Sequence, residues 1–356
     1  MDRFFFYHLV LAACTLLFLV AARRRRGTVP LLLLAGGFLA AIVATAYGFA
    51  AGRSGFYFLR LLAAGVFIEL PLGLAFLSLL PLGRRRLLFA AAAAAIAGAG
   101  FWAFFVEPRR LEIERIELRS AKLDKPLRVV VVADLQTDII GEYEKEALAL
   151  MLAEKGDLIL FTGDYLQEKD PARHLALRRE LNSFLHQMHL EALLGIYAVR
   201  GDVEGDDWQD LFAGLPIQTF EQTTRIELPQ LTLTALRLGD SRNDRATIAP
   251  SEKFHLVFGH APDFALFDPQ ADLLVAGHTH GGQVRLPFVG PLLTFSHVPR
   301  AWAAGHTEIG SGRHLVVSRG IGMERGDAPR LRFLCRPQIV TIDILPAAPA
   351  TKSSGR

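Results

Sequence analysis

Apolar residues are distributed in two different ways along this chain. Up to about residue 106 they form long blocks; beyond it they come in short runs broken by polar positions. The blocks lie near 4–22, 29–50, 61–82 and 87–106, each close to the roughly 20 residues that cross a bilayer as a helix. Residues 1–106 are therefore expected to form a transmembrane region of four helices. From 127 to 345 the runs "LRVVVV", "DLILF", "GIYAV", "FHLVF" and "DLLVA" have the length and β-branched content of buried strands. Between them "EYEKEALALMLAEKG", stopped by Gly156, and "ARHLALRRELNSFLHQMHL" follow helical spacing. Strands alternating with helices predict an α/β domain. Residues 107–126 are expected to be a charged linker with room for a short strand, and 346–356 a disordered tail.

Composition agrees with that division. With 51% hydrophobic residues and a mean hydropathy of +0.29, the chain is too apolar for one soluble domain. A bilayer is thus an expected partner. The net charge of +3 sits largely in short arginine runs beside the apolar blocks and gives no reason to expect nucleic acid. "RRRR" at 23–26 and "RRR" at 84–86 outweigh Arg53 and Arg60 in the loop between the second and third blocks. The positive-inside rule then places the clusters in the cytoplasm and, with four spans, both termini and the α/β domain outside, on the periplasmic face of an inner membrane. Arg109, Arg110 and Arg115 on the external side oppose this orientation. Cys14 and Cys335 are too far apart in character and position to suggest a disulfide framework. Glu69 falls inside the third block, where a carboxylate is either functional or a hydrogen-bonded tie between helices.

Candidate chemistry lies at the strand ends. "VVVVADLQTD" closes on Asp134 and Gln136, "DLILFTGD" on Asp164, "GIYAVRGD" on Asp202, "FHLVFGH" on His260, and "DLLVAGHTH" on His278 and His280. A single Gly-Asp after a strand is usually a turn; five strand ends in succession carrying oxygen or nitrogen donors suggest a shared site. Carboxylates gathered so closely repel unless cations neutralise them. His278 and His280, two residues apart in an extended segment, can face one spot.

The succession of these blocks resembles the calcineurin-like metallophosphoesterases over roughly residues 127–345, and "GHTHGGQ" with "DLILFTGDY" is similar to a membrane-associated bacterial branch. The resemblance implies a four-layer αββα sandwich holding two divalent ions. One ion would take Asp134, Gln136, Asp164 and His280; the other would take Asp164 as the bridge, Asp202, His260 and His278. Hydrolysis by in-line attack of a metal-activated water on a phosphoester or pyrophosphate is implied, with Gly281 and Gly282 letting phosphate approach the backbone.

Three positions depart from the family. Gln136 stands where it has histidine; an amide oxygen disfavours zinc and favours Mn²⁺ or Mg²⁺, with Fe²⁺ and Zn²⁺ as alternatives. Asp202 replaces an asparagine, adding negative charge that would hold the metals more tightly but make them attract a phosphate less strongly. Val203 replaces the histidine that assists the leaving group. That leaves three outcomes: a substrate with a good leaving group, replacement of the acid by Glu204, or a site that binds without turnover. Asp164, Asp202 and Glu204 are accordingly the candidate catalytic residues. Location near a membrane suggests a lipid-linked phosphoester or pyrophosphate as substrate. The family also contains UDP-diacylglucosamine pyrophosphatases of the lipid A pathway, a role that would require a cytoplasmic site. Arg319 and Trp208 could touch substrate or serve packing alone.

Overall fold

A computed structural model describes residues 3–24, 28–242, 248–267, 269–310 and 312–347. The chain divides into two compact units, residues 1–106 with 326–330, and residues 107–325 with 331–356.

The first unit is helical: α1 (Arg3–Arg24), α2 (Thr28–Ala50), α3 (Gly55–Ala64), α4 (Leu70–Ser78) and α5 (Arg85–Phe101). A π-turn at Gly65–Glu69 joins α3 to α4, and another at Trp102–Val106 extends α5. Among the described residues three helices are long and apolar enough to cross a membrane, Arg3–Ala21, Gly55–Ser78 and Arg85–Arg109, with a shorter apolar stretch at Ala35–Ala50. The sequence pattern suggested four. The third helix also starts earlier than expected, because Ser54 caps it by accepting the Tyr57 N–H at 3.3 Å. Pro71, just after the π-turn, has no N–H to give, so the wider turn occupies a place where the regular ladder must break. Glu69 lies in this turn and pairs with Nδ1 of His8 at 2.8 Å, while Tyr7 donates to the Leu61 carbonyl at 2.6 Å. Both bonds tie α1 to the third helix, the structural alternative for Glu69.

In the second unit the order is β1 (Glu112–Ser120), β2 (Leu127–Val132), α6 (Glu142–Ala153), β3 (Leu158–Phe161), α7 (Pro171–Gln187), β4 (Ile196–Val199), β5 (Ile217–Phe220), β6 (Thr224–Glu227), β7 (Leu231–Ala235), α8 (Leu238–Arg242), β8 (Phe254–Phe258), β9 (Leu273–Ala276), β10 (Arg285–Leu286), β11 (Gly290–Pro291), β12 (Gly305–Glu308), β13 (His314–Val317) and β14 (Gln338–Pro346). Two six-stranded mixed sheets result, ordered β1-β14-β2-β3-β4-β5 and β12-β13-β9-β8-β7-β6, with β10 and β11 as a separate hairpin. The stretch 107–126, expected as a linker, contains β1, which runs parallel to β14 from Glu112↔Gln338 to Ser120↔Pro346. Its partner lies more than two hundred residues away, so alternation alone could not reveal the pairing. β14 extends to Pro346, and residues 348–356 of the expected tail fall outside the described residues.

Strand side chains alternate between two apolar environments, which explains the continuous hydrophobic runs. Val129 and Val131 of β2 join one cluster with Leu158, Leu233, Leu256 and Val275, drawn from both sheets. Val130 and Val132 point the other way, to Leu148, Met151 and Leu181 of α6 and α7. In the second sheet Leu274 and Ala276 meet Phe264 and Leu315 in a third cluster. Each fully buried valine contributes about 1.5–3 kcal/mol relative to exposure. Strands held on both faces give their C-terminal ends fixed positions. Those ends carry every candidate site residue.

Candidate metal centre

The loops leaving β2, β3 and β9 do not follow relaxed backbone paths. Asp134, Gln136, Asp164, His278 and His280 all have positive φ, between 33° and 68°. A non-glycine residue in that region is uncommon and persists where surrounding structure imposes it. Neighbouring glycines make room for the crossing loops: a Cβ on Gly163 would lie 2.6 Å from the Gly201 Cα, and one on Gly277 2.7 Å from an Asp134 oxygen.

The ligand atoms converge. Nε2 of His260 lies 3.5 Å from Asp164 Oδ1, 3.6 Å from Asp202 Oδ2 and 3.2 Å from Nδ1 of His278. Asp202 Oδ2 is in turn 3.0 Å from that same His278 Nδ1. Each imidazole is fixed through its outer nitrogen: His260 Nδ1 donates to the Thr162 carbonyl at 2.9 Å, and His278 Nε2 to that of Phe295 at 3.1 Å. With both rings neutral and the protons placed there, two lone pairs face each other beside carboxylates; a proton on His260 Nε2 would point instead at Asp164 and Asp202. The neutral arrangement is repulsive without a cation, and the spacings resemble the roughly 3.3 Å between ligands on a four-coordinate ion with bonds near 2.0–2.1 Å. Two groups of donors emerge, Asp202–His260–His278 and Asp134–Asp164–His260.

Asp134 is fully buried and both its oxygens accept the His278 N–H at 3.0 Å. Asp164 Oδ1 accepts the Val203 N–H at 3.1 Å, so the position without the family's histidine still holds a candidate ligand through its backbone. His280 stands outside both groups, and among the described residues Oε1 of Gln136 and Nε2 of His280 are buried without a hydrogen-bond partner. The Gln136 amide is oriented by Nε2–H bonds to Glu324 at 2.9 Å and Gln167 at 3.2 Å. Gln136 Oε1 is an acceptor by nature; leaving it unsatisfied is costly, and a cation would satisfy it. Mixed carboxylate, imidazole and amide donors suit a divalent first-row ion.

Electrostatics point the same way. Burial raises the Asp134 carboxyl to about 7. Although burial opposes it, His260 is driven up to about 10 by Asp164, Asp202 and Asp134. Asp202, which burial alone would raise, is held well below the carboxylate range by its bonds to His260 and His278. His280 is pushed far down by burial and by the Arg332 guanidinium, which keeps it neutral. The carboxylates thus demand positive charge at their centre, and without a metal His260 has to supply it.

Several expectations change. Glu204 is not free to act as a proton donor: its carboxylate accepts the N–H groups of Asp164 at 3.0 Å, Tyr165 at 2.6 Å and Gly201 at 2.8 Å. It organises the loop around Asp164. Gly281 and Gly282 are small because protein atoms crowd them. A Cβ on Gly281 would meet Arg319 Cγ at 2.7 Å, and one on Gly282 would meet Pro291 Cβ at 2.5 Å. Arg319 pairs with Glu112 and approaches Glu114 to 3.7 Å. Trp208 packs its ring parallel to that of Tyr165 at 6.0 Å and donates to Glu221.

The structure adds residues that sequence reasoning missed. Arg242 pairs with Asp202 at 2.5 Å and offsets the charge gained by having aspartate there. Arg332 is fully buried, and Nη2 donates to the carbonyls of Arg319 at 2.7 Å and Gly322 at 2.6 Å beside His280. Glu324 and Arg332 sit in irregular loops, where no periodicity or motif distinguishes them.

Comparison with known proteins gives a consistent result. The family model described as calcineurin-like phosphoesterase matches residues 127–282. The chain is 28% identical to the metallophosphoesterase YkuE of Bacillus subtilis (strain 168) over 272 residues, covering 71% of this chain and 93% of that one. It is 29% identical to the phosphodiesterase YaeI of Escherichia coli (strain K12) over 279 residues, covering 74% of this chain and 100% of YaeI.

Proposed function

This chain carries a calcineurin-like phosphoesterase domain and is a metal-dependent phosphohydrolase; from that premise we propose that it binds two divalent ions, Mn²⁺ foremost, and cleaves a phosphodiester or pyrophosphate in a lipid-linked or membrane-proximal substrate. The observation that carries the reading is the facing pair His260 Nε2 and His278 Nδ1, 3.2 Å apart, each fixed through its outer nitrogen to a backbone carbonyl. The resemblance of YaeI, named a phosphodiesterase, supports a diester. The three apolar clusters are read here as an αββα stacking of four layers.

Bound ions would neutralise phosphate oxygens and lower the pKa of a water toward neutrality. The chain's own residues do the positioning. Asp134, Gln136, Asp164 and His280 would hold one ion, and Asp164, Asp202, His260 and His278 the other. Asp164, fixed by the Val203 N–H and by a loop built on Glu204, would contribute to holding both. Asp202 keeps its charge through His278 and shares it with Arg242, which lessens the repulsion an aspartate would exert on a phosphate. No side chain at position 203 can protonate a leaving group, so the site favours substrates that leave as stable anions.

The apolar helices are read as anchoring the chain in an inner membrane with the domain on its periplasmic side. A C-terminal reporter active only outside the cytoplasm should be active; inactivity would reverse the orientation. For the chemistry, the full chain purified in detergent should contain divalent metal and cleave bis(p-nitrophenyl) phosphate with Mn²⁺. Asp164→Ala should lose at least about a thousandfold, in line with removal of an essential ligand. Full activity of that variant would refute the assignment, and metal without turnover would indicate a binding module.

A further inference from the structure

Directly after His280 the chain leaves the metal centre as an apolar finger. From Val284 to Ser296 the sequence reads "VRLPFVGPLLTFS", with Arg285 its only charged residue. β10 and β11 form its base, paired Arg285↔Pro291 and Leu286↔Gly290. Large apolar side chains project from it into solvent: Leu286 is 38% exposed, Phe288 fully so, Val289 52%, Leu292 41% and Leu293 46%. Leu266 and Phe267 are exposed as well, at the end of a short 3₁₀ helix, Pro262–Phe267, whose Asp263 accepts from Ser296 Oγ at 2.6 Å and from the His297 N–H at 2.8 Å. Soluble surfaces rarely gather so much apolar area in one place without a partner.

We propose that this finger inserts into the acyl region of a lipid bilayer and brings the metal centre to phosphoesters at the membrane surface. Three features select lipid as the occupant. Among the described residues three helices are long and apolar enough to span a bilayer, so a bilayer is a surface the same chain would meet. The tip combines a fully exposed phenylalanine with flanking leucines and valine, the residue types that partition from the interface into acyl chains. Its single charge is positive and belongs at the base, where Arg285 bonds the Gly281 carbonyl at 3.3 Å and could face anionic headgroups. The finger is also wired to the site: the Phe295 carbonyl accepts the Nε2–H of His278. Insertion would therefore place lipid phosphates beside the residue whose other nitrogen faces His260. The inference rests on the membrane placement proposed above, and its consequence for substrate choice rests on the hydrolase reading.

The test uses the full chain carrying Cys14→Ser, reconstituted in nanodiscs of phosphatidylglycerol and phosphatidylcholine. Phe288→Cys is labelled with the environment-sensitive fluorophore NBD. The control label is at Leu193→Cys, also exposed (79%) but away from the finger. The 288 label should show blue-shifted emission and at least twofold quenching by phosphatidylcholine bearing a doxyl group in its acyl chain, with the 193 label unaffected. Equal, water-like emission at both positions would overturn the proposal. So would a blue shift at 288 that doxyl lipid does not quench, since that indicates a protein partner or a second copy. In the unlabelled chain, Phe288→Ser with Leu293→Ser should lower the ratio of bilayer phosphodiester cleavage to bis(p-nitrophenyl) phosphate cleavage by tenfold or more. If the wild-type chain cleaves neither substrate the hydrolase reading fails, while the fluorescence result still decides insertion.

Discussion

Glu204 shows how a carboxylate beside a metal centre can serve the backbone instead of the substrate. Its oxygens accept three N–H groups, and burial with the neighbouring Asp164 raises it to about 8. Glu204→Gln would turn an NH₂ toward at least one of those donors, at about 1–3 kcal/mol. The expected outcome is a melting temperature several degrees lower, with activity falling by the same factor for substrates with good and poor leaving groups. A proton donor would instead spare the good leaving group. Glu324 acts through Gln136: Glu324→Gln should weaken metal binding about 10–100-fold, measured by calorimetry, because the amide oxygen loses its orientation. The strand-end donors were legible in the sequence, since a carboxylate or imidazole after a buried run is a local signal. Glu324, Arg242 and Arg332 were not, because their importance comes only from what they touch.

At the scale of elements, β1 decides where the domain begins. Ile116 and Leu118 belong to the cluster between the sheets, at 8% and 5% exposure. A fragment starting at 127 would lack them and leave β14 as an unpaired edge, a template for aggregation. We expect a fragment beginning at 107 to be soluble and folded, and one beginning at 127 to aggregate; size-exclusion chromatography and circular dichroism of the two would show it. The central strands were readable because both their faces are buried, which leaves long β-branched runs. β1 was not, since "EIERIELRS" alternates charge with apolar residues, and only its distant partner makes it a sheet strand. The π-turn in the third helix likewise carries the His8–Glu69 pair, of which the sequence disclosed the carboxylate but not the histidine.

For the molecule as a whole, metal and stability should be coupled. Asp134, Asp164 and Asp202 come from three different strand ends, so a cation binding all of them favours the folded state over the unfolded one. Chelation should lower the domain's melting temperature, and Mn²⁺ at about a hundred times its dissociation constant should restore about 2.7 kcal/mol. No change in melting on chelation would count against a shared metal centre. The sequence by itself determined the apolar N-terminal region, the α/β class of the remainder and the chemical identity of the donors, because hydrophobic period and residue type are local properties. Only the tertiary structure decided that β1 closes the first sheet, that Glu204 holds a loop, that His260 and His278 face each other, and that an apolar finger stands beside them. Those relations are distances between residues remote in sequence, set by how two sheets pack.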